Sequence, residues 1–476
     1  MTTINSKALN GSFEGVPIGE TIQWKNVLYA DVKHRFAPPI LKTDFEGKTI
    51  DCTEDGYDCP QLPNKHDMHD GEYKSDELLC TNLRIVKPKG DFKHPLPVYL
   101  YIHGGANLVG NIYSKRTDPT PFVEHSAAIG KPVIMVVIEY RLGMLGYSTS
   151  KDGKGNWGLR DQWTSVQWVN KFIGEFGGDS QRVTVGGESS GSIGVHALVL
   201  KDGLEHHGVI SRAFMSSGSL GCFLPLPVAY LDTYRAKAAK ELGVEEADLD
   251  DPTKVPPYAL VTAGFKIEYP FGFYAYDDFL PDNLLQAIPK LRTALVSDND
   301  YEGSLFVKRV VPPAEIEPLL NSSETGKKVK DIYSILTGAE VCKFRGDSFF
   351  VVSNAELLGQ LEKGGVDVYR QFFDQVDPFD PSLRARHAVD LVFMWKCLPN
   401  LPEWAIELAN KYQTNLIKFV YDESPWPSDE VALVGNKTIK YGHYNPRKLA
   451  EKLLDLDLKE IRKLGENLTP AGEWAM

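Results

Sequence analysis

The sequence predicts an α/β fold: a mostly parallel central sheet flanked by helices, with helical insertions over the C-terminal edge of its strands. Three observations predict it. Val98 to His103 and Val133 to Tyr140 are short, almost wholly apolar runs, the pattern of strands buried on both faces. Strand-like and helix-like segments alternate through the middle of the chain. Within that alternation Val183-Thr184-Val185, a β-branched strand, runs straight into Gly187-Glu188-Ser189-Ser190-Gly191 and then into an apolar, helix-compatible stretch.

The other elements follow from spacing. Asp161 to Phe176 predicts a helix, because Val166, Val169, Ile173 and Phe176 recur at three- and four-residue intervals, and Gly177-Gly178-Asp179 ends it. Ala213 to Ser217 and Thr293 to Ser297 predict further strands. Phe223 to Tyr258 is helix-prone and charged without strand signals, so it reads as an insertion over the sheet. Tyr269 to Phe279 is dense in aromatics, either core packing or the wall of an apolar cavity. Asn445 to Leu464 is charged and amphipathic and predicts a surface helix. No repeat or low-complexity linker interrupts the chain, and residues 1–476 read as a single domain.

Composition narrows the function classes. A hydrophobic content of 42% in 476 residues supports a large core, and a net charge of −12 argues against nucleic acid or an anionic membrane as partner. The polar start, MTTINSKALNGSFEG, has no apolar segment of the kind a signal peptide carries. No run of about 20 apolar residues predicts a membrane span. Six cysteines are few for this length. Together these features predict an intracellular, cytoplasmic protein; nothing in the chain indicates an oligomeric state.

The passage around Ser189 is the context that makes G-x-S-x-G a nucleophile elbow rather than a chance pattern. The turn demands small residues two before and two after the serine, and both are glycine. A serine hydroxyl needs an imidazole to take its proton and a carboxylate to orient that imidazole. The chain order for such a fold is serine, acid, histidine, so only His387 and His443 of the eleven histidines qualify. His387 precedes a strongly apolar, helix-compatible run that can hold it, whereas His443 lies in a polar, turn-like segment; His387 is the better candidate. After the strand near Ala294, Asp298, Asp300 and Glu302 all stand where the acid should, and position does not separate them. His103-Gly104-Gly105-Ala106 follows an early strand, where the amides of Gly105 and Ala106, with that of Ser190, would converge on an oxyanion. His66 and His69 lack the helix context and further ligands of a metal site. No nucleotide-binding glycine motif occurs. Neither a metal nor a cofactor is predicted.

Several long motifs, in order, resemble the type-B carboxylesterase and cholinesterase family. The segment from Trp24, ending in Arg35-Phe36-Ala37-Pro38-Pro39, is similar to the family's opening. Ser75-Asp76-Glu77 through Asn82 is similar to its S-E-D-C-L-Y-L-N element. Ile102 to Asn107 resembles its oxyanion loop. Asn156 to Gln162 and Phe176 to Asp179 resemble N-x-G-L-x-D-Q and F-G-G-D. The likeness thins after about Cys397. It implies the α/β-hydrolase fold and a serine carboxylesterase acting on a small-molecule ester without a cofactor. It places the family's D-E-G on Tyr301-Glu302-Gly303, which implies Glu302 as the acid, and it supports His387. The same scaffold also implies acyl transfer, lactonisation or dehydration as alternatives, and some members are non-catalytic binding proteins.

Departures bear on the substrate. Ala106 and Asn107 stand where the family often has glycine and phenylalanine, so Asn107 adds a polar group beside the pocket. Asn107, Glu188, Phe223, Phe273 and Tyr276 are the candidate pocket residues, and no clear apolar lid is visible. Leu78 replaces the cysteine that would pair with Cys59; Cys80, two residues on, allows a shifted bridge, but free thiols fit the missing signal better.

Overall fold

Strands that are apolar on every residue can satisfy their burial only in the middle of a covered sheet, and that is where they lie. The computed structural model describes residues 2–63, 74–270 and 274–470. One sheet organises them. Its labelled strands are β1 (Thr2–Ser6), β2 (Gly11–Ile18), β3 (Thr21–Leu28), β4 (Asn82–Pro88), β5 (Leu96–Ile102), β6 (Ile134–Ile138), β7 (Gly178–Glu188), β8 (Arg212–Ser216), β9 (Thr293–Asn299), β10 (Asp367–Phe373), β11 (Val431–Gly435) and β12 (Thr438–Gly442). They run in the order β1-β2-β3-β4-β6-β5-β7-β8-β9-β10-β11-β12, and Thr49–Asp51 pairs beside β2. From β6 across to β11 every pairing is parallel. The antiparallel pairings are confined to the two flanks.

Alternation along each strand divides the core into two layers. Val98, Leu100 and Ile102 of β5 face one hydrophobic cluster, with α1 (Trp157–Phe172) and α2 (Ser190–Glu205) packed on it. Tyr99 and Tyr101 of the same strand face the other, under the helix at Glu403–Val420. Fully burying each such aliphatic side chain stabilises the fold by about 1.5–3 kcal/mol. A third cluster, with Ile316, Leu320, Val329, Ile461, Leu464 and Leu468, is mainly helical and lies outside those two layers.

The predicted elements recur with shifted ends. The helix expected over 161–176 starts earlier, at Trp157, and tightens into a 3-10 turn at Ile173–Phe176; the left-handed Gly177 (φ 87°) then turns the chain directly into β7. The segment 223–258 is mainly helical, as expected, but Leu226–Pro227 forms a two-residue strand with Ala275–Tyr276, a pairing no local signal announces. The tail expected as one surface helix is two, Lys448–Glu451 and Leu458–Leu468, the second beginning where Asp457 accepts from the Lys459 and Glu460 amides. Its Ile461, Leu464 and Leu468 are buried rather than merely half-covered.

Candidate active site

The C-terminal ends of β5, β7, β8 and β9 converge on one point of the sheet edge, the place where parallel α/β sheets carry ligand sites. At the end of β7, Ser189 adopts φ 55° and ψ −126°, a strained conformation for a residue with a side chain. The elbow is as tight as its sequence requires: a Cβ on Gly191 would lie 2.2 Å from the carbonyl oxygen of Ile102. The backbone at Ser189 is pinned by its amide, which donates to the Ser216 carbonyl at 2.9 Å.

His387 Nε2 stands 2.9 Å from Ser189 Oγ, and its Nδ1 stands 2.5 Å from Glu302 Oε2. Glu302 Oε1 accepts from the Ser217 hydroxyl at 2.6 Å and from the Asn299 amide at 2.7 Å. Glu302, His387 and Ser217 are buried. The histidine loop is fixed in turn: the His387 amide donates to Ser304 Oγ at 3.1 Å, and the ring packs on Phe350 at 4.8 Å between centroids.

The three acids that position alone left equal are separated by their cations. Asp298 is buried and paired with Arg447 at 2.7 Å and with Arg370. Asp300 pairs with Arg384 at 3.0 Å. Burial opposes their ionisation, yet these cations, with Lys343 at Asp300, hold both carboxyls below their usual range. Only Glu302 of the three reaches the imidazole. His443 is exposed beside the β11–β12 hairpin.

A second carboxylate approaches His387. Glu188 Oε1 lies 3.2 Å from Nε2, and burial raises the Glu188 pKa to about 8. Burial also works against a charged His387, but Glu302 and Glu188 outweigh it and lift the imidazole to about 9.

On the other side of Ser189, the loop after β5 takes left-handed backbone at three successive residues: Gly105 (φ 109°), Ala106 (φ 57°) and Asn107 (φ 57°). Such a run turns adjacent N–H groups toward a common point. The amides of Gly105 and Ala106 donate to no acceptor among the described residues. The loop is held against the elbow by the Asn107 amide, which donates to Ser190 Oγ at 3.1 Å. Gly105 has no alternative, since a Cβ there would lie 1.9 Å from the Val109 carbonyl oxygen.

The carboxylesterase family model matches residues 3–467, running well past Cys397, where the motif likeness thins. The chain is 34% identical to Lipase 1 of Yarrowia lipolytica (strain CLIB 122 / E 150) over 499 aligned positions, covering 100% of both proteins. It is likewise 34% identical to Lipase 3 of that organism, over 88% of this chain and 89% of the relative. Among solved structures, a PNB esterase superposes with a TM-score of 0.79 at 22% identity, over 95% of this chain and 99% of the other.

The chain belongs to the carboxylesterase family. It is a carboxylic ester hydrolase with the α/β-hydrolase fold. Its family motifs have visible structural work. Arg35 of the opening segment forks onto Glu77 at 2.7 and 3.0 Å. Asp161 of the N-x-G-L-x-D-Q motif forms a buried pair with Arg141 at 2.7 Å.

Four of the five candidate pocket residues lie among the described residues, and their surroundings differ. Glu188 lies at the centre. Phe223 packs edge-on against Phe349 at 4.9 Å, and Phe349 against Phe350, so it belongs to an aromatic wall that ends at the His387 ring. Asn107 is buried, and its Oδ1 accepts from the Tyr147 hydroxyl at 3.1 Å, so its polar group is engaged inside the protein. Tyr276 sits in the short ribbon with Pro227 and has no hydrogen bond or ring contact to the Ser189–His387–Glu302 group. Phe273 lies outside the described residues, as do His66 and His69. At the two ends of the aromatic run, Tyr269 donates to the Tyr147 carbonyl and Phe279 lies against Lys201.

Sequence reasoning missed Ser217, Asn299, Asp390 and Phe350. Asp390 is buried three residues beyond His387 and accepts from Ser216 Oγ at 2.8 Å. Phe349 and Phe350 lie in a π-turn, Asp347–Val351, a distortion that concentrates at functional sites. The position of Ser217 one residue past the end of β8, beside the elbow, was the available signal. Cys59 and Cys80 are both buried and unbridged; the neighbouring Cys59 thiol and burial push Cys80 above its ordinary pKa. Among the described residues no group of three His, Cys, Asp or Glu is arranged to hold a metal, and no helix is long and apolar enough to cross a membrane.

Proposed function

We propose that the chain hydrolyses carboxylic esters through an acyl-enzyme formed on Ser189. Ser189 Oγ attacks the ester carbonyl while His387 Nε2 takes its proton; His387 then returns that proton to the leaving alcohol. Glu302 fixes the tautomer with the proton on Nδ1 and stabilises the imidazolium. The amides of Gly105, Ala106 and Ser190 stabilise the oxyanion. Water, activated by the same imidazole, releases the acid and restores the serine.

The observation that carries this reading is the unbroken contact from hydroxyl to imidazole to carboxylate, 2.9 Å and then 2.5 Å, on a strained turn at the end of a buried strand. The relatives named as lipases support an acyl ester of a lipid as substrate class. The wall of Phe223, Phe349 and Phe350 supports an apolar acyl group next to His387. The test is turnover of p-nitrophenyl esters from acetate to palmitate by the wild type and by Ser189→Ala. The reading expects hydrolysis by the wild type and loss of at least about 10⁴-fold in the variant with its thermal transition unchanged. Undiminished turnover by Ser189→Ala would remove the mechanism.

A further inference from the structure

Glu302 and His387 sit on two neighbouring segments, joined directly where Asn299 Nδ2 donates to the Arg386 carbonyl and the His387 amide donates to Ser304 Oγ, each at 3.1 Å. The acid loop, 298–303, comprises the last two residues of β9 and the turn after it, and the histidine loop, 384–389, comes after β10 in the chain. Backbone bonds join them at one place only among the described residues: the Tyr301 amide donates to the Ala385 carbonyl at 2.8 Å, and Tyr301 bridges to Arg386. Around that seam the charges are arranged in two legs.

The inner leg is Arg447, a buried guanidinium from the segment after the β11–β12 hairpin. Its Nε donates to Asp298 Oδ1 at 2.7 Å, and its Nη2 donates to the Asp298 carbonyl at 3.2 Å. Its Nη1 stands 2.8 Å from Asp374 Oδ1, just past the end of β10. One planar fork therefore spans the ends of β9 and β10, a geometry that a lysine cannot reproduce. Arg370 closes the other side of Asp298. The outer leg is Arg384, which donates to Asp300 at 3.0 Å, lies over the Tyr301 ring at 4.1 Å, and precedes His387 by three residues. Lys343 adds a third anchor by donating to the Asp300 carbonyl at 2.8 Å.

We infer that Arg447 and Arg384 are positioning residues that set the Glu302–His387 contact: Arg384 clamps the acid segment onto the histidine loop through Asp300, and Arg447 fixes Asp298 to Asp374 at the end of β10. Neither guanidinium is among the hydrogen-bond partners of Ser189, His387 or Glu302, so both act through the loops rather than on the reaction itself. The inference rests on the proposed role of Glu302. A displacement of the acid by about an ångström costs on the order of 100-fold in rate when it misaligns the reacting groups.

A double-mutant cycle with Glu302→Gln tests it, using a short aryl ester and following kcat and KM separately. Arg447→Met is expected to lower kcat by about 10- to 100-fold with KM changed less than about twofold, and to cost almost nothing further when Glu302→Gln is already present. An Arg447→Met effect that multiplies in full on top of Glu302→Gln would overturn the inference, as would an unchanged kcat. Glu302→Gln with full activity would instead overturn the proposed triad, so the two failures are distinguishable. Arg384→Met, which cuts the half-exposed outer leg, carries the same cycle should Arg447→Met not fold; it is expected to lower kcat by about 3- to 10-fold, again only while Glu302 is present.

Discussion

Two carboxylates face His387, and the regions that carry them treat the same functional group in opposite ways. The acid loop surrounds Glu302 with donors: Ser217 and the Asn299 amide satisfy one oxygen while the imidazole takes the other. The elbow offers Glu188 burial without an equivalent set, and its Oε1 has no hydrogen-bond partner among the described residues although it lies 3.2 Å from Nε2. Donors favour the charged form and burial the neutral one. Glu302 is thus held by donors against Nδ1, whereas burial pushes the Glu188 carboxyl toward its neutral form. The two carboxylates differ in donor shell as well as in contact, 2.5 Å at Nδ1 for Glu302 against 3.2 Å at Nε2 for Glu188.

The largest effect should come from breaking the first of these. Glu302→Gln removes the anion but keeps the shape, and it is expected to lower kcat by about 10³- to 10⁴-fold, measured in steady-state ester hydrolysis. Glu188→Gln, the same change on the other side, is expected to lower kcat by less than about tenfold. Equal losses from the two substitutions would erase the distinction.

Next in size is the elbow's own rigidity. Gly191→Ala forces a Cβ to within 2.2 Å of the Ile102 carbonyl, and the backbone rather than a flexible side chain must give way. A loss of about 3 kcal/mol of stability is expected in denaturant unfolding. An unchanged midpoint would mean that the turn is looser than the geometry requires.

The finest test is the pH profile. In the proposed mechanism His387 must be neutral to accept the serine proton. Because Glu302 and Glu188 overcome burial and raise its pKa to about 9, kcat/KM should climb with pH through a midpoint above the ordinary histidine value of about 6.5. Glu188→Gln removes one of the two raising charges, so its midpoint should move to lower pH. A wild-type midpoint at or below about 6, or a Glu188→Gln midpoint moved upward, would contradict the electrostatic contrast.

Some of this was readable from residues alone, for identifiable reasons. The all-apolar runs at 98–103 and 133–140 have no solvent-facing residue to offer, so a covered parallel sheet was their only reasonable home. Ser189 was readable because its turn needs glycine on both sides, and His387 because chain order left few alternatives. The acid was not separable from spacing: Asp298, Asp300 and Glu302 fall within five residues, and what tells them apart are cations at 370, 384 and 447 that no local pattern connects to them. Family likeness pointed to Glu302, the one of the three that contacts His387. The pocket was the least readable part. Asn107 turns its carboxamide inward onto Tyr147, and Tyr276 pairs with Pro227, because a side chain's direction depends on long-range packing that composition does not encode. The aromatic wall instead draws on Phe349 and Phe350, whose placement follows from a π-turn with no sequence signature of its own.

The central claim is that one hydroxyl, at Ser189, becomes covalently acylated. Treating the protein with a fluorophosphonate and mapping the adduct by peptide mass spectrometry tests this most directly. The account predicts a single modification on Ser189, absent in Ser189→Ala and formed in parallel with the loss of esterase activity. Modification at a different residue, or full hydrolysis by protein shown to be completely labelled at Ser189, would contradict it.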